Sequence, residues 1–205
     1  MSGTNQKILR AARLLFNEHG VAKVSQRTIC DHIAISPGNL TYHFKKRDDI
    51  IEALYFELAT AIEECLDVAE KAELNLAELA QLTKATNKIF FENRFFVIDF
   101  IQILRSNAVI NKHYTNISTR RFTYIKQLVE NLIQTGEMRK AELPNEYNNL
   151  YKRSELFGDF WVASIGSTPD EVMLKHTRIY TDSFMQSFYP YLTRKGKDAF
   201  LILKE

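Results

Sequence analysis

The chain is poor in the residues from which staples, metal clusters and phosphate loops are made. It has two cysteines, Cys30 and Cys65, far apart and without C-x-x-C or Cys/His ligand spacing, so they read as small semi-buried side chains and no disulfide is expected. The histidines at 19, 32, 43, 113 and 176 show no H-E-x-x-H or comparable spacing. Seven glycines fall mostly at helix ends, and neither a glycine-rich phosphate loop nor a G-x-S-x-G elbow is present. Metal and cofactor are therefore both expected to be none, and no catalytic constellation is assembled. No apolar run approaches the roughly 18 residues of a membrane span, and the N-terminus lacks a signal-type segment. A soluble, cytoplasmic protein with no membrane partner is the expectation.

What is present is charge placed unevenly. Residues 1–50 carry eight Lys/Arg against four Asp/Glu, while residues 51–205 carry nineteen against twenty-one, although the whole chain is only +2. Aromatics run the other way, three in the first fifty residues and twenty-one in the rest. A small basic module followed by a large aromatic-rich body is the footprint of a nucleic-acid reader attached to something else. With 45% apolar residues there is material for a proper core.

The basic module centres on Val24 to Ile51, VSQRTICDHIAISPGNLTYHFKKRDDII. Ser25 is an N-cap, and Ile29 and Ile33 then recur four apart on one face of a helix that stops near Ala34. Ile35 is placed to plug the turn. Ser36 and Pro37 supply a second N-cap with proline at the first helical position. Leu40 and Phe44 are positioned to pack back on Ile29 and Ile33, leaving Asn39, Thr41, His43 and Lys45 outward with Tyr42 beside them. This is a helix-turn-helix pattern, whose second helix enters the DNA major groove. Gly38 suits close approach there, and Asn39 is the base reader by position, because amides pair well with adenine.

These residues resemble the tetracycline-repressor (TetR) family of bacterial regulators. The resemblance covers residues 5 to about 55: the helix NQKILRAARLLFNEHG, the cap VSQRTICDHI, the segment ISPGNLTYHFKKRDDII and the start of a long helix. It implies an all-α protein: a three-helix DNA-binding domain over 1–47, then a ligand-binding and dimerisation bundle over 48–205, linked by a helix over 48–71. The role it implies is a ligand-responsive repressor that binds a palindromic double-stranded DNA operator as a homodimer and responds to a small-molecule effector. Expected DNA contacts are Gln26, Arg27, Thr28, Pro37, Gly38, Asn39, Tyr42, His43, Lys45 and Lys46, with Tyr42, His43 and Lys45 mainly holding phosphates. Two positions depart from the family pattern. Ala34 stands where glycine is common, and a left-handed alanine costs about 1 kcal/mol, so a slightly altered turn is expected. Thr41 replaces an aromatic, which removes one expected phosphate contact. An all-helical enzyme, or an interaction scaffold with an incidental helical hairpin, is the alternative class.

In the body, helical patterns run over 6–19, 48–71, 76–92, 107–136, 145–166 and 170–192, with a short helix over 196–204. FFVIDFIQIL at 95–104 is apolar nearly all round, which predicts one centrally buried helix in which Asp99 needs a partner. The last two long helices carry stripes that include Ser154, Phe157, Gly158, Trp161 and Ile165, and Met173, Tyr180, Phe184 and Phe188. With the family resemblance, these stripes predict a dimer interface through Ser154, Phe157, Gly158, Trp161, Tyr180, Phe184 and Phe188. By the same resemblance the effector pocket lies among Phe90, Phe91, Phe95, Phe96, Asp99, Phe100, Tyr114, Phe122, Tyr124, Phe157 and Trp161. Its aromatic lining predicts an apolar or amphipathic effector in a cavity of roughly 300–1,000 Å³.

Overall fold

The computed structural model describes residues 3–165 and 170–203 and is helical, with one isolated antiparallel bridge between Met138 and Leu192. Helices α1 (Gly3–His19), α2 (Gln26–Ile33) and α3 (Pro37–His43) form the head, and α4 (Arg47–Lys71) leaves it. The body adds α5 (Leu76–Glu92), α6 (Arg94–Ile98), α7 (Phe100–Ser106), α8 (Ala108–Gln134), α9 (Glu146–Ile165), α10 (Asp170–Gln186) and α11 (Arg194–Ile202). Pro169 and the side chains of Ile165 and Met173 lie outside the described residues. Among the described residues no helix is long and apolar enough to cross a membrane.

Each head helix is specified locally. The Ser25 hydroxyl accepts the Thr28 N–H at 3.1 Å, and the Thr28 hydroxyl accepts the Ser25 N–H at 3.3 Å, so α2 begins on a reciprocal cap. Ser36 accepts the Asn39 N–H at 3.2 Å and Pro37 opens α3. Between them Ala34 adopts the left-handed conformation, φ 53° and ψ 49°. The turn therefore keeps the geometry glycine would favour and carries the strain, rather than changing shape as the sequence suggested. Leu40 is buried against the head as expected, whereas Phe44 reaches the same core from an extended residue just past the helix end. At the start of α4, Lys46 occupies the cap position, and Asp49 accepts its backbone N–H at 2.9 Å.

At 25 residues, α4 is about 37 Å long, and one face of it is buried from Ile50 to Ala69. Its first turns place Ile50, Leu54 and Leu58 in a core shared with α1, α2 and α3; Ile62 and Leu66 extend that core into the body, and Ala69 joins a second cluster with α5 and α8. The apolar segment at 95–104 is not one central helix. It breaks at Asp99 into α6 and α7, leaving Ile98 and Ile101 exposed. The break lets the Asp99 carboxylate reach the head, where it accepts the Val21 N–H at 2.8 Å. The helix expected over 170–192 likewise ends at Gln186, and Tyr191 lies in a following 3-10 turn, Tyr189–Tyr191.

Replacing Ala34 with glycine removes the left-handed penalty at the cost of a more flexible unfolded chain. A net gain of about 0.5–1 kcal/mol is expected, read as a higher thermal or urea midpoint. A lower midpoint would contradict the strained turn.

Candidate nucleic-acid interface and internal cavity

Once the head core is formed, the outer face of α2 and α3 presents Arg27, Pro37, Gly38, Asn39, Tyr42, Lys45 and Lys46 to solvent, with Tyr42 86% exposed. His43 is half-buried, its ring edge-on to Tyr42 at 5.2 Å. An added Cβ at Gly38 would meet nothing within 4 Å, so the approach is open at the start of α3. Two of the expected DNA contacts have work inside the head. The Gln26 amide donates to the Phe44 carbonyl at 2.9 Å, clamping the start of α2 to the end of α3, and Thr28 belongs to the α2 cap. Thr41 donates to the Pro37 carbonyl at 2.9 Å and so turns back on its own helix.

The head is tied to the body by more than α4. Asn17, near the end of α1, donates to the Glu92 carbonyl and accepts the Phe95 N–H, both at 2.9 Å, bridging the junction of α5 and α6. Phe16 packs on Phe95 with ring centroids 5.5 Å apart. Asp99 holds Val21, and Arg47 donates to the Val21 carbonyl at 3.1 Å. The short turn Val21–Lys23 is thus gripped from the body through Asp99 and from the root of α4 through Arg47.

Inside the body, α4, α5, α8, α9 and α10 surround a cavity of about 100 Å³. Ile62 and Leu66 of α4 form one wall, facing Leu79, Leu82 and Phe90 of α5 and Ile125 of α8. Of the aromatics assigned to the pocket, Phe90, Tyr124, Phe157 and Trp161 line it. The others do not. Phe95, Phe96 and Phe100 are buried in the core shared with the head, Asp99 is the head clamp, Phe91 packs beside Val97 and Trp161, and Phe122 meets Tyr151 edge to face. The cavity is also smaller than the range expected. Its polar residues Thr83, Thr86, Asn87, Arg121 and Glu155 were not anticipated. Thr83, Thr86 and Asn87, three to four apart between Leu79 and Phe90, were the available signal: a polar interruption on the inward stripe of α5.

Deep in the wall, both terminal nitrogens of Arg121 reach Asp159 Oδ1, at 3.1 and 3.2 Å, and Tyr114 donates to the other Asp159 oxygen. Burial and the Asp159 charge push the Tyr114 phenol well above its usual range. Burial opposes the Arg121 charge, but Asp159 outweighs it and keeps the guanidinium protonated. Tyr114 is thus part of an ion-pair network behind the cavity rather than its lining. The Arg121 Nε and the Tyr124 hydroxyl are buried without a hydrogen-bond partner.

The stripe expected at a dimer interface faces its own chain. Ser154, Phe157, Gly158, Trp161, Tyr180 and Phe184 all line the cavity, and Phe188 is fully buried in the second cluster. The strongest apolar stripe on each helix is consumed by its own bundle. A second stripe faces out: Leu156 (61% exposed) and Phe160 (41%) lie four apart on α9, with Ile179 (47%) on α10.

Comparison with known proteins agrees with this arrangement. Residues 8–54 match the family described as bacterial regulatory proteins, tetR family, and residues 57–200 match the TetR domain described as a bacterial transcriptional repressor. The HTH-type transcriptional regulator UidR of Escherichia coli K12 is 41% identical over 54 residues, a match spanning 26% of this chain and only 28% of that protein. A TetR-family transcriptional regulator from Marinobacter aquaeolei VT8 superposes with a TM-score of 0.87 at 24% identity, covering 99% of this chain and 98% of that one. The ketosteroid transcriptional regulator KstR2 of Mycobacterium tuberculosis has a TM-score of 0.72 at 16% identity, covering 95% and 97%.

Removing the Asn17 amide leaves the Phe95 N–H without its acceptor. Asn17→Ala is expected to cost about 1–3 kcal/mol, measured by chemical denaturation, and to speed proteolysis between head and body. Unchanged stability would show that the clamp is dispensable.

Proposed function

Because the chain belongs to the TetR family of bacterial transcriptional regulators, we propose that it represses transcription as a homodimer on a palindromic operator and releases it when a small molecule fills the body cavity. The observation that carries this is the division of labour on α4. Its first turns are core to the head, and its later residues Ile62 and Leu66 are cavity wall, so a change at the cavity displaces the base of the reader. A ligand lowers operator affinity only if it binds the released arrangement more tightly.

At the operator, Asn39 reads a base edge while Arg27, Tyr42, His43, Lys45 and Lys46 hold phosphates, with Pro37 and Gly38 permitting close approach. Gln26 and Thr28 approach the backbone while keeping their structural bonds. One head makes too few contacts for selective binding, so a second half-site about one helical turn, roughly 34 Å, away is required. The exposed stripe of Leu156, Phe160 and Ile179 supplies the apolar centre of the pairing surface, bordered by Lys152, Arg153, Lys175 and Arg178.

Two experiments test this. In gel shifts with genomic fragments flanking the gene, the protein should select one palindromic fragment and lose affinity steeply with salt. Lys45→Ala should weaken binding to all sequences and reduce the salt slope by about one, whereas Asn39→Ala should relax base preference at one position per half-site, by about 1–3 kcal/mol. An Asn39→Ala protein with unaltered base preference would remove the base-reading role. For pairing, Phe160→Glu should convert a dimer into a monomer of about 24 kDa in sedimentation; a wild-type chain that sediments as a monomer at micromolar concentration would refute the homodimer.

A further inference from the structure

We propose that the outer groove between α4 and α5 is a second binding site, for a cationic amphiphile: an alkyl chain carrying one ammonium group. The groove offers about 440 Å³, within the range of roughly 300–1,000 Å³ that drug-sized ligands occupy, whereas the inner cavity offers about 100 Å³. It lies one face round each helix from that cavity. Ile62 and Leu66 of α4 line the cavity, Ala61, Cys65 and Val68 line the groove, and Leu82 of α5 lines both. Small side chains make the room, because Ala61, Cys65 and Ala69 recur every four residues on α4 with Ala85 across the seam. The apolar lining is incompletely covered: Val68 is 68% exposed, and Cys65, Leu82, Ala85 and Ile89 are half-buried. Burial pushes the Cys65 thiol up, and the neighbouring Glu64 charge adds to it, so the thiol is a neutral part of this floor. Covering such a floor favours a hydrocarbon.

Charge decides the head group. Glu64 and Glu78 line the groove beside the Gln81 amide, and among the described residues no lysine or arginine lines it. The other carboxylates on this stretch of α4 have partners: Glu57 holds Arg13, Glu63 faces His113 at 4.0 Å, and Asp67 and Glu70 share Arg120. Glu64 and Glu78 have no such cation among the described residues. On α5, Lys84 does not line the groove and Lys88 lies 4.0 Å from Glu92. Two carboxylates beside an apolar floor repel an anion and match a cation. Because the groove is open to solvent, an ammonium there keeps part of its hydration, which limits the desolvation cost. From Glu78 to Ile89 the groove runs about 16 Å along α5, with the carboxylates toward the α4–α5 connection and Ala61, Ala85 and Ile89 toward the other end. Head and tail thus have separate places.

Octylammonium, octanol, octanoate and spermidine, each kept below the concentration at which it self-associates, are titrated by calorimetry into the intact protein without DNA. Octylammonium should bind saturably and weaken as salt rises. Octanol should bind about tenfold more weakly, and octanoate and spermidine should give no saturable heat. Glu64→Gln and Glu78→Gln should each weaken octylammonium about threefold while leaving octanol unchanged. A general loss of packing would weaken both ligands alike.

Two filling variants locate the site. Ala85→Leu should abolish binding by occupying the groove, whereas Gly158→Leu, at an inner-cavity position where an added Cβ meets nothing within 4 Å, should leave it unchanged. Thermal midpoints are measured alongside, and if Ala85→Leu lowers its own, the two glutamine variants decide. The proposal is overturned if octylammonium gives no saturable heat, if octanol or spermidine binds as tightly, or if both glutamine variants bind octylammonium as wild type does. It is overturned equally if Gly158→Leu abolishes binding, which would move the ligand to the inner cavity. The same holds if Ala85→Leu turns a dimer into a monomer in sedimentation, which would make the groove a contact with a second copy. No arm uses DNA, so the result stands apart from the repressor reading.

Discussion

The burial of α4 by two different sets of partners is the constraint on which the rest of the structure depends. A helix of 25 residues cannot bend gradually without losing packing at one end, because interiors are close-packed and tolerate few intermediate arrangements. The head therefore has no independent core. Ile8, Phe16, Ile29 and Leu40 share one continuous cluster with Ile62, Phe95 and Phe100, on both sides of residue 50, where the sequence divides into a basic and an aromatic-rich part. Charge and composition change there, but hydrophobic burial does not.

Beside that continuous core, the polar bonds at the junction act as a directional clamp. Asn17 and Asp99 spend their side chains on backbone groups of the opposite domain rather than on each other or on solvent. Bonds of this kind fix orientation more than they add stability, since each is worth about 1 kcal/mol net yet tolerates little misalignment. Any movement of α6 and α7 must therefore be felt at the Val21–Lys23 turn that leads into the reader. The contact is made at the break between α6 and α7, where Asp99 leaves helical geometry and its carboxylate accepts the Val21 N–H.

The head was legible in the sequence because its signals are local. Ser25, Ser36 and Pro37 act through neighbours within a few residues, and each cap is where its chemistry places it. In the body, periodicity identified helices and their apolar stripes but not which neighbour each stripe meets. Phe157, Trp161 and Phe188 have the composition of an interface and are consumed internally, whereas Leu156 and Phe160 form a weaker pattern and are left outside. A stripe does not record its partner. The cavity was harder still, since its character comes from Thr83, Asn87, Arg121 and Tyr124, polar residues brought together from two helices by packing.

The size of the cavity also bounds how the response can work. Moving a two-state equilibrium from 1:99 to 99:1 requires about 5.5 kcal/mol of differential binding. Any ligand small enough for this cavity that buried on the order of 100 Å² more apolar surface in one arrangement than in the other would supply about 2.5 kcal/mol. One such ligand falls short. Two, one in each protomer of the proposed dimer, would supply about 5 kcal/mol, close to what a full switch needs. The proposed pairing and the small cavity thus belong to one argument: the modest leverage of each pocket on Ile62 and Leu66 would suffice only if both copies of α4 in the proposed dimer had to adopt the same arrangement to span two half-sites.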